Sequence, residues 1–150
     1  MTDPPAPDFS HFGICVGDLE RSLRFYCDAL GFEKAESHAI GSEFARLMDL
    51  PDVAVTSQFI RRGHTAIELL AFDDPPPFGP RERRAVNQLG LTHLSFRVQD
   101  LAATAERVVA LGGAVVESTR TTIDLGGTAL EFLYCTDPDG VRVELMDLGG

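Results

Sequence analysis

Apolar and polar positions alternate most clearly in two stretches of the chain. Along 91–98, Leu94, Phe96 and Val98 fall on one side, and His93, Ser95 and Arg97 on the other. Near the start, Phe12 and Ile14 oppose His11 in the same manner. Period-two alternation is the signature of a strand with one face on a core, because successive side chains point to opposite faces. Each stretch runs into an Asp-Leu pair and then a helical stripe. Leu19, Leu23, Tyr26 and Leu30 share one helix face after Asp18; Leu101, Ala105, Val108 and Leu111 share another after Asp100. Both aspartates are suited to capping the free N–H groups of the turn that follows. Gly31 and Gly112-Gly113 supply the stops.

The rest of the chain is read in the same way. Strands are predicted over 9–16, 32–38, 54–61 and 66–72, with 43–50 compatible with either strand or helix. Four prolines and a glycine in 73–80 mark a linker, and 81–89 is predicted as a helix ended by Gly90. Strands follow over 91–98, 114–119, 128–135 and 141–147, with a weakly marked one over 121–125. Asp137-Pro138-Asp139-Gly140 is a favoured type I turn. The order strand, helix, three strands therefore occurs twice. His11 and His93, Asp18 and Asp100, Leu19 and Leu101, and Gly31 and Gly113 are each 82 positions apart. Near the module ends, Ile67-Glu68-Leu69 matches Val143-Glu144-Leu145 at an offset of 76. A fixed offset is the mark of an internal repeat. The expected fold is α+β, two βαβββ modules in tandem. Module one spans 9–72, the linker with its helix 73–90 and module two 91–150, with 1–8 a short disordered arm.

Composition narrows the function. A chain of 150 residues, 44% hydrophobic, can bury a proper core. It contains no apolar run near the roughly 20 residues of a membrane helix, and its polar, proline-rich start has no signal-peptide pattern. A net charge of -10 argues against nucleic acid and anionic membrane as partners. Three cysteines without a Cys-x-x-Cys pair read as buried free thiols of a cytoplasmic protein.

Four residues then stand out: His11 and His93 at the starts of the first strands, Glu68 and Glu144 in the last. Each lies opposite the bulky apolar side of its strand, Glu68 between Ile67 and Leu69, Glu144 between Val143 and Leu145. A lone histidine or glutamate on a strand is usually an ordinary solvent-facing residue. Two His–Glu pairs at matching places in two modules are not explained that way. If the apolar faces pack on the helices, the other faces form one concave surface. Two imidazoles and two carboxylates there suit a divalent ion of mixed N/O preference. His38 and His64 have no counterpart and are read as surface residues. Arg97 shares a strand face with His93 and is expected to orient an anionic or carbonyl oxygen. Met48 and Phe59 are candidate cavity linings, and Glu43 is a further acid/base candidate if 43–50 is a strand. Arg61, Arg62, Arg81, Arg83 and Arg84 are candidate anion contacts, with a solvated surface the plainer reading.

The pattern resembles the vicinal oxygen chelate superfamily, which includes glyoxalase I, methylmalonyl-CoA epimerase, extradiol dioxygenases and fosfomycin-resistance thiol transferases. The resemblance is carried by 11–19, Phe25-Tyr26, Leu30-Gly31-Phe32, Ile67-Glu68-Leu69, 93–101 and Asp137 through Leu145. It implies paired modules forming a curved, incomplete-barrel sheet around a metal site, with His11, Glu68, His93 and Glu144 as ligands. Glu68 is similar to the four-ligand branch of the superfamily, whose members are glyoxalase- and epimerase-like. The implied chemistry is proton transfer next to a carbonyl of a small molecule with vicinal oxygens, through a metal-chelated enediolate. Glu144 is the implied base and Glu68 its alternative. The implied cofactor is one divalent ion: Ni, Co, Zn or Mn. An Fe(II) extradiol-type dioxygenase and a metal-free drug-binding resistance protein are the competing readings. A homodimer is expected by resemblance, with the site either within one chain or between two.

Overall fold

The computed structural model describes residues 6–149. Module one runs β1 (Phe12–Val16), α1 (Leu19–Leu23), β2 (Glu33–Ile40), β3 (Ala54–Arg62) and β4 (Thr65–Asp74). Past Leu23 the helix continues as a π-helical segment, Arg24–Ala29, and stops at Gly31, whose φ of 74° is left-handed. Module two runs β5 (Leu94–Arg97), α2 (Leu101–Ala110), β6 (Ala114–Val115), β7 (Thr121–Leu125), β8 (Thr128–Thr136) and β9 (Arg142–Asp147). Asp18 and Asp100 cap as expected, accepting from the N–H groups of Arg21 and Ala103 at 2.8 Å each.

The repeat is visible in the hydrogen bonding. The strands form a four-stranded sheet in the order β1-β4-β3-β2 and a five-stranded sheet in the order β5-β9-β8-β6, with β7 also on β8. β6 and β7 flank the same strand and are separated by a 3-10 turn over Glu117–Thr119, so together they stand where β2 stands in module one. Phe12 aligns with Ile67 and Leu94 with Val143, both in parallel pairs. These are equivalent positions under the two sequence offsets.

Three expectations are corrected. Residues 81–90 form no helix. Val86 and Leu89 are exposed there, so no apolar stripe is buried, and so short a helix has little stability of its own. Arg81 instead pairs with Asp139, and Arg84 donates to the carbonyl of Leu91 at 2.7 Å. The ambiguous segment 43–50 is a 3-10 turn followed by further turns, not a strand. Strand-like 114–119 is only the two residues of β6 before its turn. Of the expected arm 1–8, residues 1–5 lie outside the described residues and 6–8 run without helix or strand; so do 9–11, and the strand expected from 9 begins at Phe12.

One core serves both modules. Ile14, Val16, Ile67 and Leu69 from the first sheet are buried in the same cluster as Leu94, Leu133, Val143 and Leu145 from the second. Leu23, Phe25 and Tyr26 of the first helical segment, and Leu101 and Val108 of α2, belong to it as well. The Tyr26 hydroxyl donates to Asp137 at 2.8 Å, and Asp137 also accepts from the backbone N–H groups of Asp139 and Val141. Asp139 accepts from the N–H of Gly17 at 3.0 Å and from the Arg21 guanidinium at 2.7 Å. The turn of module two is thus bolted onto the helix of module one. Gly113 permits the close approach: a Cβ there would lie 2.6 Å from both the Thr136 carbonyl oxygen and the Phe25 ring.

Candidate active site

The two His–Glu pairs are built alike. In module one, His11 Nε2 is 3.2 Å from Glu68 Oε2. His11 Nδ1 meets the Ser10 hydroxyl at 2.8 Å, and the Ser57 hydroxyl donates to Glu68 Oε1 at 2.5 Å. Phe59, which faces Glu68 across β3 and β4, presents its ring to the imidazole at 5.1 Å. In module two, His93 Nε2 is 3.5 Å from Glu144 Oε2, and His93 Nδ1 meets the Thr92 hydroxyl at 2.9 Å. The Ser95 hydroxyl donates to Glu144 Oε2 at 2.7 Å. Tyr134 faces Glu144 across β8 and β9, and its ring is 5.6 Å from the imidazole.

Each element has a physical task. A hydroxyl on Nδ1 fixes the ring so that Nε2 points at the carboxylate, the orienting bond that ligating histidines characteristically have. A hydroxyl on the carboxylate fixes its rotamer. The ring beside the imidazole limits the ways it can tilt.

The structure brings His11 to Glu68 and His93 to Glu144, and does not bring the two pairs together in one chain. No group of three or more His, Cys, Asp or Glu placed to hold a metal ion is found among the described residues. The shared core explains why. Ile67 and Leu69 point into it from one sheet, Val143 and Leu145 from the other. Strand alternation then turns Glu68 and Glu144 away from the core on opposite sheets. A single pair offers one nitrogen and one carboxylate, whereas a catalytic ion of this preference takes three protein ligands or more. The donor chemistry of the four residues fits such an ion; one pair alone does not.

The two faces differ in what covers them. On the Glu68 side, Met48 packs with Ile40, Val55, Leu70 and Phe72 around Ala45 and Val53, so the loop before β3 roofs part of the sheet. On the Glu144 side, a cavity of about 260 Å³ remains, walled by Thr121, Ile123, Phe132 and Tyr134. Glu144 Oε2 takes both of its pair's contacts, and among the described residues none is made to Oε1. In Glu68 both oxygens are engaged.

Other candidates fall elsewhere. Glu43 accepts from the N–H of Gly41 at 3.2 Å and belongs to its own turn. Arg61 pairs with Glu36 at the surface. Arg97 is exposed and makes no ion pair among the described residues, and it borders a cavity that also contains His93 and Ser95. Cys135 is buried, and burial pushes its thiol up to about 11. Cys15, expected to be buried, is exposed, on the core-averted side of β1. Its thiol is also raised, by partial burial and then by Asp139.

The supporting residues were less visible than the pairs. A hydroxyl residue before each histidine, Ser10 and Thr92, is a repeat that the sequence displays. Ser95 shares the His93 face. Ser57 and Tyr134 carry no local signal. Tyr134 matches Phe59 only through strand register, because the hairpin leading to Glu144 is one residue longer than the one leading to Glu68.

Comparison with known proteins agrees with this architecture. The family model described as Glyoxalase/Bleomycin resistance protein/Dioxygenase superfamily matches residues 8–145. A probable lactoylglutathione lyase of Synechocystis is 30% identical over 136 residues, 91% of this chain and 92% of that protein. An ethylmalonyl-CoA/methylmalonyl-CoA epimerase of Cereibacter sphaeroides is 32% identical over 138 residues, 91% of this chain and 94% of that protein. In structure, a glyoxalase family protein from Bacillus cereus superposes with a TM-score of 0.84 at 21% identity, covering 100% of this chain and 99% of that one. Glyoxalase I from Zea mays gives 0.63 at 22% identity, over 93% of this chain and 44% of that one.

Proposed function

Since the chain belongs to the Glyoxalase/Bleomycin resistance protein/Dioxygenase superfamily, we propose that it is a metal-dependent lyase or isomerase of the glyoxalase or epimerase type. Its active site would be completed by a second copy of the chain. The observation that carries this reading is the duplicated half-site: imidazole, carboxylate, two orienting hydroxyls and a ring, built twice and separated by a core. Joining the halves within one chain would require dismantling that core, including the buried Tyr26–Asp137 bond. Joining His11 and Glu68 of one copy to the His93 and Glu144 of another requires no such rearrangement. β1 and β5 are edge strands with unpaired backbone on one side, which favours a partner there. Phe78 and Leu89, 98% and 95% exposed, are apolar surface that a second copy would cover.

His11, Glu68, His93 and Glu144 would hold the divalent ion. When bound, it supplies Lewis acidity toward two adjacent substrate oxygens. The chain's own groups do the remaining work. Glu144 moves the proton: Ser95 and His93 hold Oε2, which leaves Oε1 free to take a proton from the carbon beside a carbonyl and return it. Glu68, held at both oxygens, is the less mobile carboxylate. Ile123, Phe132 and Tyr134 exclude water from the acidic carbon, and Arg97 orients an anionic oxygen from the open end of β5.

The test is complementation. His11→Ala and Glu144→Ala chains are each expected to be inactive on methylglyoxal–thiol adducts or methylmalonyl-CoA. Mixed and re-equilibrated, they would form dimers with one intact site, restoring roughly a quarter of the unaltered activity by two-fold symmetry. No recovery, from chains shown to exchange, would refute the shared site. Full inactivity of the unaltered protein with every divalent ion tried would refute the reaction class.

A further inference from the structure

The cavity beside His93 adjoins a second one. The first, about 480 Å³, and the second, about 660 Å³, share Arg62, Phe96 and Arg97. Together they form a groove between the modules that runs from His93 and Ser95, past Arg62 and Arg97, to Arg107 on α2. Leu30, Phe96 and Val98 form its apolar floor. The protein carries 23 acidic and 13 basic residues, so an arginine would be expected to find a carboxylate. Among the described residues, none of these three makes an ion pair. Arg62 donates to the Leu30 carbonyl at 2.7 Å, Arg107 lies 3.4 Å from the Thr104 hydroxyl, and Arg97 makes no side-chain hydrogen bond. The one carboxylate bordering the groove among the described residues, Asp100, accepts the capping bond of α2 through Oδ1.

We propose that this groove is an anion subsite that receives the phosphate-bearing tail of the substrate, whose reacting end lies at the His93–Glu144 half-site. The placement of the reacting end rests on the function proposed above. The groove presents three guanidinium groups against the single carboxylate of Asp100, a net positive charge. It therefore suits a tail carrying only negative charge, because planar guanidinium forks match phosphate oxygens in pairs. A peptide thiol such as glutathione brings an ammonium group and fewer negative charges, so a groove of net positive charge holds it less tightly than a phosphate-bearing tail. Its apolar floor suits the ring or methylene portion next to a phosphate. This assigns the chain to substrates with a phosphate-bearing, nucleotide-like end rather than to glutathione adducts.

The experiment uses the full-length, metal-depleted protein and needs no turnover. ADP and glutathione are titrated in turn by calorimetry at fixed ionic strength. ADP is expected to bind, and Arg97→Gln and Arg107→Gln to weaken it by on the order of tenfold each, the effect of losing one charge-assisted bond. Arg83→Gln, outside the groove, is the control that leaves binding unchanged. Hydrogen exchange on the unaltered protein gives a second readout that does not depend on the variants folding: ADP is expected to slow exchange over 94–107. The proposal is overturned if ADP does not bind, if protection falls elsewhere, if both variants bind it unchanged, or if glutathione binds as tightly as ADP. Complementation reads the paired half-sites and ADP binding reads the groove, so either result can fail without the other.

Discussion

The bond between Tyr26 and Asp137 gives the sharpest test of how the two modules are held. Tyr26 is fully buried and Asp137 nearly so, at 2% exposure. Tyr26→Phe deletes one hydroxyl and leaves the ring packed. A hydrogen bond to a charged acceptor contributes about 1.5–3 kcal/mol. Two backbone N–H groups still serve Oδ1 at 2.9 and 2.8 Å, while Oδ2 loses its one side-chain partner. The expected loss at neutral pH is therefore about 2 kcal/mol, or a Tm lowered by about 4–8 °C for a domain of this size. The loss should also depend on pH. Burial raises the Asp137 carboxyl above its ordinary range, and the Tyr26 bond partly counteracts that. A raised native pKa means the folded state binds the proton more tightly than the unfolded one. That contribution is complete below the ordinary carboxylate pKa and is lost as pH rises through the native value. Without the hydroxyl the native pKa rises further, so the variant loses stability over a wider span of rising pH. The gap between the two proteins should grow from about 1 kcal/mol in acid, where a neutral bond is lost, to about 2 at neutrality. Urea unfolding at one fixed protein concentration, from the acid limb to neutrality, measures it. A gap that is constant with pH, or below about 0.5 kcal/mol throughout, would refute the reasoning. So would additive effects of Tyr26→Phe and Asp137→Asn in a double-mutant cycle.

Other predictions address the site and the fold. Glu144→Gln should cut turnover by at least about a hundredfold, the usual scale for a positioned base, and alter substrate affinity little; an equal rise in KM would count against its role. Ser95→Ala frees the Glu144 carboxylate to rotate, so a loss of about tenfold is expected, measured as kcat against pH. Gly113→Ala should destabilise by about 1–3 kcal/mol, the range for overpacking, because its methyl would meet the Thr136 carbonyl; thermal unfolding reads this directly. Elemental analysis of His93→Ala should show metal retention well below that of the unaltered protein, and undiminished metal would remove His93 from the ligand set.

Local pattern determined a good deal. Period-two alternation gave both faces of β1, β4, β5 and β9, and Glu68 and Glu144 lie opposite Ile67 and Val143 as the sequence required. The helix stripes, their aspartate caps and the left-handed stop at Gly31 are equally local, since each depends on neighbours within a turn or two. The two offsets identified equivalent positions, and the register of one module recurs in the other accordingly. The contact of His11 with Glu68 and of His93 with Glu144 rests on the register, which the sequence did not supply.

What the sequence could not decide was where the apolar faces go. Both sheets bury them in one core, and that choice alone sends the two half-sites in different directions. Nothing in the alternation distinguishes it from two sheets curling about one hollow, because both bury the same residues. The fate of 81–90 was non-local for the same reason: a helix there had no surface to pack on, and Arg81 and Arg84 found partners in the hairpin turn and the chain ahead of β5. The groove of Arg62, Arg97 and Arg107 joins a hairpin, a strand end and a helix that only the docking of the modules makes neighbours. Periodicity reports which side of an element is apolar; which other element covers that side is decided by packing across the whole chain.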